Sequence, residues 1–352
     1  MPRRTAKGDI NAAQEAILLK FLRDARWNPN EAASRLSATL KWRVEFKIEN
    51  LSKEKFSDEL SKTCYVYGVD RNGNPIVYTN YSLMSKLGLL SDPEKFTRWR
   101  IFVLEKALKV ANFGAGGEKL TQVFDWSGMG LFLDSRIADS NNRLAALTKL
   151  YYPECFEYKA QVNVSPFKEF LINIGSIFTG DLSLAITQQN IRAGLLEIIS
   201  PDSIISEYGG FDPLPEGVQS IVLAQKVTAG KIFSHETAAN RGDSIHYSYI
   251  CKEGDVTASY GFRKEGKRYL DDKNQIAKKE SGKGTYEVEK TGAFVISFSN
   301  EDPVGDKTVY FRASLVSKED GAKRGDTRAE KRKSKRDKKE VKKEKTDEDG
   351  SD

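Results

Sequence analysis

Two histidines, three cysteines and two glycine-rich stretches have the most obvious capacity for chemistry in this 352-residue chain. Nucleophilic catalysis needs a thiol or hydroxyl beside a base, yet Cys155 follows Glu154 with no histidine nearby in sequence. His235 and His246 fall among alternating residues of a β-rich stretch, where the ordinary reading is a strand or surface position. Cys64, Cys155 and Cys251 are too few and too scattered for a zinc site or a disulfide framework, which fits a reducing cytoplasm. "FGAGGEKL" (113–120) follows a helical pattern and lacks the spacing of a dinucleotide-binding turn. "SGKGTY" (281–286) lacks the upstream glycine of a phosphate-binding loop. Asp125 ends a strand pattern and has acid–base capacity, but no partner is apparent in sequence. The expectation is a chain that is not an enzyme and holds no cofactor or metal.

A different kind of site is suggested by "SPFKEFLINIGSIF" (165–178). Phe167, Phe170, Leu171, Ile174, Ile177 and Phe178 fall on one side of a helix, with Lys168 and Glu169 on the other. Such a stripe ordinarily seals onto a core, and it can also line a pocket or meet a membrane. Pro166 in the first turn, Gly175 in the middle and Gly180 just beyond the end would let the helix swing.

The elements that must position this stripe are legible around it. Asp9 is a candidate cap for a helix running to about Arg26, and Asn28-Pro29 starts a second, with Ala32, Leu36, Leu40 and Val44 on one ridge. "YVYGVDRNGNPIVYTNY" (65–81) reads as two strands flanking an Asn72-Gly73 turn. A helix over about 93–111, a strand in "TQVFDWSG", a helix over about 140–151, the strand "KAQVNV" and a further strand candidate, "GLLEII" (194–199), follow. Strands alternating with helices predict an α/β unit with a mainly parallel sheet. After "FDPLPEG" the pattern becomes all-β, with the clearest strands at 244–251, 256–263, 285–290, 293–299 and 308–314, and an antiparallel sandwich is expected.

With 39% hydrophobic residues and no apolar run near the length of a membrane span, no transmembrane helix is expected. The start, MPRRTAKGDINAAQE, has no apolar run behind its charges, so no secretory leader is expected either. The net charge of +6 resides in the tail: Lys323–Lys345 holds thirteen Lys/Arg against five Asp/Glu. A solvated segment is the plain reading, and attraction to anionic membrane the functional one. The tail has no aromatic residues for base stacking, so nucleic acid is not an expected partner.

Taken in order, "LLKFLRDARWNPNEAASRLSATLKWR" (18–43), "GVDRNGNPIVYTNY", "VFDWSG", "YYPECFEYKAQVNVSPFKEFLINI" and "ISPDSIISEYGG" resemble the CRAL-TRIO lipid-binding family. The β-rich region resembles a GOLD domain, and the whole layout is similar to the tocopherol-associated (supernatant protein factor) proteins and the patellins. The resemblance implies a helical N-terminal part (1–52), a lipid-binding domain (53–212), a linker (213–218), a GOLD-like sandwich (219–317) and a charged tail (318–352). It implies that the phenylalanine-rich helix gates an apolar pocket. Phe167, Phe170, Leu171, Ile174 and Phe178 would then line pocket and gate, with Tyr78, Trp126, Val162 and Val164 from the strands. Arg26 matches a basic position next to the headgroup in the fungal phosphatidylinositol/phosphatidylcholine transfer proteins of the family, Glu154 matches the acidic residue of their "YPE" motif, and the two would form a polar pair at the pocket mouth or gate hinge. Ala25, Cys155 and Leu184-Ala185 stand where that pattern places further polar or basic residues. A buried phosphate without cations is costly, so the resemblance points to a less charged ligand or to a differently arranged headgroup site. It implies a cytoplasmic protein that carries a lipid and visits membrane surfaces, with residues 219–317 contacting a protein partner or the membrane. A non-transferring lipid-sensing adaptor is the alternative.

Overall fold

The computed structural model describes residues 11–87, 92–129, 135–170, 172, 183–214, 218, 221–265, 270, 272–275 and 278–317. The expected cap Asp9, the gate residues Leu171, Ile174 and Phe178, and the charged tail lie outside the described residues. The chain divides into two compact units, Met1–Gly210 and Phe211–Asp352.

The first unit opens with α1 (Ala12–Asp24) and α2 (Pro29–Glu45). Asn11 starts α1 through a reciprocal pair: its side chain accepts from Gln14 N (2.9 Å), while Gln14 Oε1 accepts from Asn11 N (3.0 Å). Asn28 caps α2 and Pro29 occupies its first position, as the spacing predicts. A five-stranded sheet follows in the order β1 (Cys64–Val69), β2 (Pro75–Asn80), β3 (Leu120–Asp125), β4 (Phe156–Val164), β5 (Ser183–Thr187). Two short helices frame its first hairpin: α3 (Asp58–Thr63) leads into β1, and α4 (Tyr81–Lys86) leaves β2. β1 is antiparallel to β2 and the other pairings are parallel. The β1–β2 connection is longer than the two-residue turn predicted. Buried Asp70 organises it, accepting from Asn72 N (2.8 Å), Asn74 N (2.9 Å) and the Thr121 hydroxyl (2.7 Å).

Strand alternation gives this sheet two distinct faces. The near face carries Val77, Leu120 and Phe124, which pack with Trp99, Leu104 and Ala107 of α5 (Pro93–Val110) and with Leu144 and Leu147 of α6 (Ser135–Tyr151). The far face carries two cross-strand rows: Tyr78, Val123, Ala160, Leu184, and Asn80, Asp125, Val162, Ile186.

"GLLEII" is not a strand; β5 lies earlier, at Ser183–Thr187. Gly194 and Leu195 end the short helix Ile191–Leu195, residues 196–198 turn, and Ile199 makes a single antiparallel bridge to Asp70. Gly194 is needed there, because a Cβ would fall 2.9 Å from the Ile186 side chain. No helix among the described residues is long and apolar enough to cross a membrane.

The second unit holds two four-stranded antiparallel sheets, in the orders β10-β9-β12-β7 and β11-β8-β13-β6. Their strands are β6 (Leu223–Val227), β7 (Ile232–Ala239), β8 (Ser244–Cys251), β9 (Thr257–Lys264), β10 (Asp272–Gln275), β11 (Ser281–Glu287), β12 (Gly292–Ser299) and β13 (Lys307–Val316). Ile245, Tyr249, Phe294, Phe298 and Phe311 are fully buried in one shared core, which is the expected sandwich. β11 begins four residues before the predicted strand at 285–290, because "SGKGTY" pairs along its length with β8. Gly282 lets it lie against Tyr249, since a Cβ there would sit 2.5 Å from the tyrosine ring. The stretch is thus sheet, and its glycines serve packing rather than phosphate.

Candidate functional site

The near face ends in an aromatic row. Tyr81 stacks on Phe124 (5.7 Å between centroids, 4° between planes) and meets Trp126 at 5.0 Å. Trp126 Nε1 donates to Gln161 Oε1 at 2.6 Å, which fixes the indole against β4. Residues 166–170 form a helical turn beside this row, with Glu169 N donating to Ser165 O at 2.9 Å.

The orientation of that turn reverses the expectation. Lys168 faces inward: its Nζ is shielded from solvent, 4.6 Å from the centroid of the Trp126 ring. Phe167 and Phe170, expected to face the pocket, are 55% and 59% exposed. Helical periodicity separates two sides of a helix but does not say which side is inside. Here the indole face offers the ammonium a cation–π contact, which offsets part of its desolvation. Burial holds the Lys168 amine below the usual lysine range.

Tyr78 and Val162 lie on the far face, away from Trp126. The Tyr78 hydroxyl donates to Ser203 O (2.7 Å) and its ring meets Tyr208 (6.1 Å). Val162 pairs in register with Ile186 and is fully buried. Val164 is buried beyond a register shift at Asn163, where φ is +59°. Of the four strand-side residues expected at the pocket, Trp126 meets the aromatic row.

Glu154 is held by the first helix. Its carboxylate accepts from Arg23 Nε at 2.7 Å, from within α1. Arg26 lies past the end of that helix, in a left-handed turn with φ +51°, and is exposed. Lys20 Nζ is buried at the same junction and donates to the Glu118 carbonyl (2.5 Å).

Between α5, α6 and the near face lies a cavity of about 10 Å³, room for roughly one water. Its lining mixes Val77, Leu104 and Leu144 with the polar side chains of Arg100, Gln122 and Thr148. Arg100 is 4% exposed and its Nη1 makes no hydrogen bond among the described residues. Its guanidinium carbon lies 5.9 Å from the Phe96 ring, and the Tyr81 hydroxyl beside it donates to Asn141 Oδ1 at 3.0 Å. Sequence reading missed Arg100, although Phe96, Arg100 and Leu104 fall at i, i+4, i+8, a charge set into an apolar ridge.

The residues first considered for covalent chemistry have structural settings. His246 Nδ1 lies 3.1 Å from the Thr285 hydroxyl on the neighbouring strand, and the His235 ring rests edge-on against Phe311. Among the described residues no group of three or more His, Cys, Asp or Glu side chains is placed to hold a metal ion. All three cysteines are free and buried, and burial pushes the Cys155 thiol up to about 12 and Cys251 to about 11. A raised pKa leaves the unreactive thiol form in place. An aromatic disulfide reagent at about pH 8 is expected to leave the native protein unlabelled on the minute scale and to titrate three thiols after unfolding. Rapid labelling of Cys155 in the native protein would contradict this setting.

The mainly parallel sheet, with helices over its near face, fits the family that the motifs resemble. Residues 60–210 match the CRAL/TRIO domain. This segment is a CRAL/TRIO domain. Patellin-5 of Arabidopsis thaliana is 32% identical over 215 residues, covering 56% of this chain and 31% of its own length. Patellin-6 of the same plant is 32% identical over 217 residues, covering 58% of this chain and 52% of its own. The Phosphatidylinositol transfer protein SFH5 of Debaryomyces hansenii is 27% identical over 229 residues, covering 57% of this chain and 65% of its own. The chain spans no more than about half the length of these two patellins. In the CRAL/TRIO domain of this chain, the near face, the Trp126–Tyr81 row and the turn at Lys168 form the candidate site.

Proposed function

We propose that this chain binds a lipid between the near face of the sheet and the helix that starts at Pro166, and exchanges it at membrane surfaces. The observation that carries this reading is the helical turn itself, which lies against an aromatic floor while presenting Phe167 and Phe170 to solvent. A relative named as a phosphatidylinositol transfer protein supports the same direction.

The mechanism is physical rather than covalent. Each methylene of an acyl chain costs about 0.8 kcal/mol to expose to water, so an apolar enclosure removes a large penalty from a lipid in transit. The cavity between α5, α6 and the near face holds roughly one water, so a lipid enters only if the elements around it move apart. At a bilayer, Phe167 and Phe170 become surrounded by hydrocarbon as the helix leaves Trp126. Their transfer out of water offsets the packing given up inside, and opening becomes nearly balanced. Leu171, Ile174 and Phe178 would extend the apolar edge of the same gate. Glu154 and Arg26 take no part in holding a headgroup in this reading; Glu154 ties the end of the α6–β4 connection to α1 through Arg23.

The sandwich at 219–317 is read as GOLD-like and as the surface for a protein partner or a membrane. Ile232 at the start of β7 and Val304 in the loop before β13 are large apolar side chains left exposed there. They favour the second reading, a lipid-sensing adaptor at membranes that does not itself transfer lipid. Both readings make the protein a cytoplasmic, peripheral visitor of membranes.

Organic extraction of protein purified from cells is expected to release about one lipid per chain, identified by mass spectrometry. Extracts without a stoichiometric lipid would count against the pocket. Transfer of labelled lipid between vesicles separates carrier from adaptor.

A further inference from the structure

Arg100 is a buried cation of the CRAL/TRIO domain that forms no ion pair among the described residues. Two neighbouring guanidinium groups of the same unit are paired with carboxylates. Arg43 meets Glu105 at 2.6 Å, and Arg98 is paired with Glu54. Arg100 has the Tyr81 hydroxyl and the Phe96 ring instead, and one of its nitrogens lacks any hydrogen bond among the described residues. An ion kept dry without a counter-charge is destabilising, and such a group is most readily explained by a partner that arrives from outside.

The surroundings say what kind of partner fits. Arg100 borders the cavity together with Gln122 and Thr148, so the anion would find neutral polar groups beside the fork. A guanidinium matches the planar or tetrahedral oxygens of carboxylate and phosphate with two parallel N–H donors. Tyr81 links Arg100 to Trp126, over which the shielded amine of Lys168 rests, also without a hydrogen-bonding partner among the described residues. Two desolvated cations thus border one aromatic row.

We propose that Arg100 receives an anionic oxyacid group, a phosphate or carboxylate, and that the ligand of the near-face pocket is an acidic amphiphile rather than a neutral one. The proposal rests on the pocket reading above. It supplies the differently arranged headgroup site that Ala25, Cys155 and Ala185 leave open, because the charge comes from α5 and from the start of the gate helix.

The test compares uptake by the full chain of three pyrene-labelled lipids from phosphatidylcholine vesicles. These are a phosphatidic acid, a diacylglycerol with the same tails and a fatty acid. Wild type is expected to prefer the phosphatidic acid or the fatty acid over the diacylglycerol by about tenfold or more, the range of a hydrogen-bonded charge. Arg100→Met keeps the side-chain volume and removes the charge; it is expected to lose the preference while still taking up diacylglycerol. A preference that survives in Arg100→Met, or its absence in wild type, overturns the proposal. If Arg100→Met does not fold, Arg100→Lys decides, since a single ammonium must lower the margin of a two-donor fork and an unchanged margin refutes it. Inorganic phosphate separates the sources of the anion. If no lipid is taken up but phosphate raises the unfolding midpoint of wild type and not of the Arg100 variant, the site takes a free anion and only the lipid reading falls. If phosphate has no effect either, both fall.

Discussion

The double variant Phe167→Asp, Phe170→Asp is expected to lose vesicle association and lipid transfer while keeping its fold. Burying a phenylalanine side chain is worth about 1.5–3 kcal/mol, and each of these rings is a little more than half exposed in the closed state. The two together therefore bring about 3 kcal/mol to a bilayer, roughly a hundredfold in affinity, before the cost of placing carboxylates there. Neither ring belongs to a buried cluster, so the change in unfolding free energy is expected to stay within about 0.5 kcal/mol. Flotation with phosphatidylcholine vesicles measures the first effect and denaturant unfolding the second. Phe167→Leu, Phe170→Leu is expected to restore most of the binding, which distinguishes insertion from a specific aromatic contact. Undiminished flotation of the aspartate variant would refute the outward role of this face.

That prediction depends on a reversal the sequence did not disclose. The spacing of Phe167 and Phe170 marks a helical face, yet the assignment of that face to the interior followed only from its being apolar. Lys168 decides the matter in three dimensions, because Trp126 provides a surface on which an ammonium can be desolvated. The contact joins residues forty-two positions apart and has no local signature. A similar ambiguity placed Tyr78 and Val162 at the pocket. Strands β2 and β3 are buried along nearly their whole length on both faces, so "PIVY" shows no alternation to separate Val77 from Tyr78. Caps and long helices were readable because their causes are local: Asn28-Pro29 starts α2, and α5 spans Pro93–Val110 against an expected 93–111. β8 coincides with its predicted span, 244–251, for the same reason of local alternation. "GLLEII" failed because a short apolar run suits a strand or a packed helix end equally, and Gly194 lets the end of the helix Ile191–Leu195 lie against Ile186.

Arg100 was legible in principle and passed over. A charge at the middle of the Phe96–Leu104 ridge breaks the apolar pattern of α5, and such breaks are where buried polar function is found. Seen from the sequence, the missing basic positions at Ala25, Cys155 and Ala185 argued for a less charged ligand. The fold supplies cations from other elements, which restores an acidic ligand to consideration.

Asp125→Ala is expected to be the most damaging single substitution near the site. The buried carboxylate accepts four hydrogen bonds: from Ser127 N (2.8 Å), Asn163 Nδ2 (2.7 Å), Asn80 Nδ2 (3.1 Å) and the Tyr208 hydroxyl (2.9 Å). None of these donors is a cation, so the group does not belong to an ion pair among the described residues. It joins the ends of β2, β3 and β4, and it reaches Tyr208 in the segment that covers the far face. Truncation orphans donors on all of these elements. Each unsatisfied buried group costs about 1–3 kcal/mol, and with water partly filling the gap a loss of about 3–5 kcal/mol in unfolding free energy is expected. A loss below about 1 kcal/mol in denaturant unfolding would show that the network is not what holds the strand ends together. The functional consequence follows from Asn163. A left-handed residue other than glycine is strained, and here the Asp125 bond to its side chain fixes the bend two residues before Ser165. Without it, amide hydrogen exchange is expected to rise from Asn163 to Phe170 more than in β1. The carboxylate that at first suggested acid–base chemistry thus sets the angle at which the gate helix leaves the sheet, and with it whether Lys168 reaches Trp126.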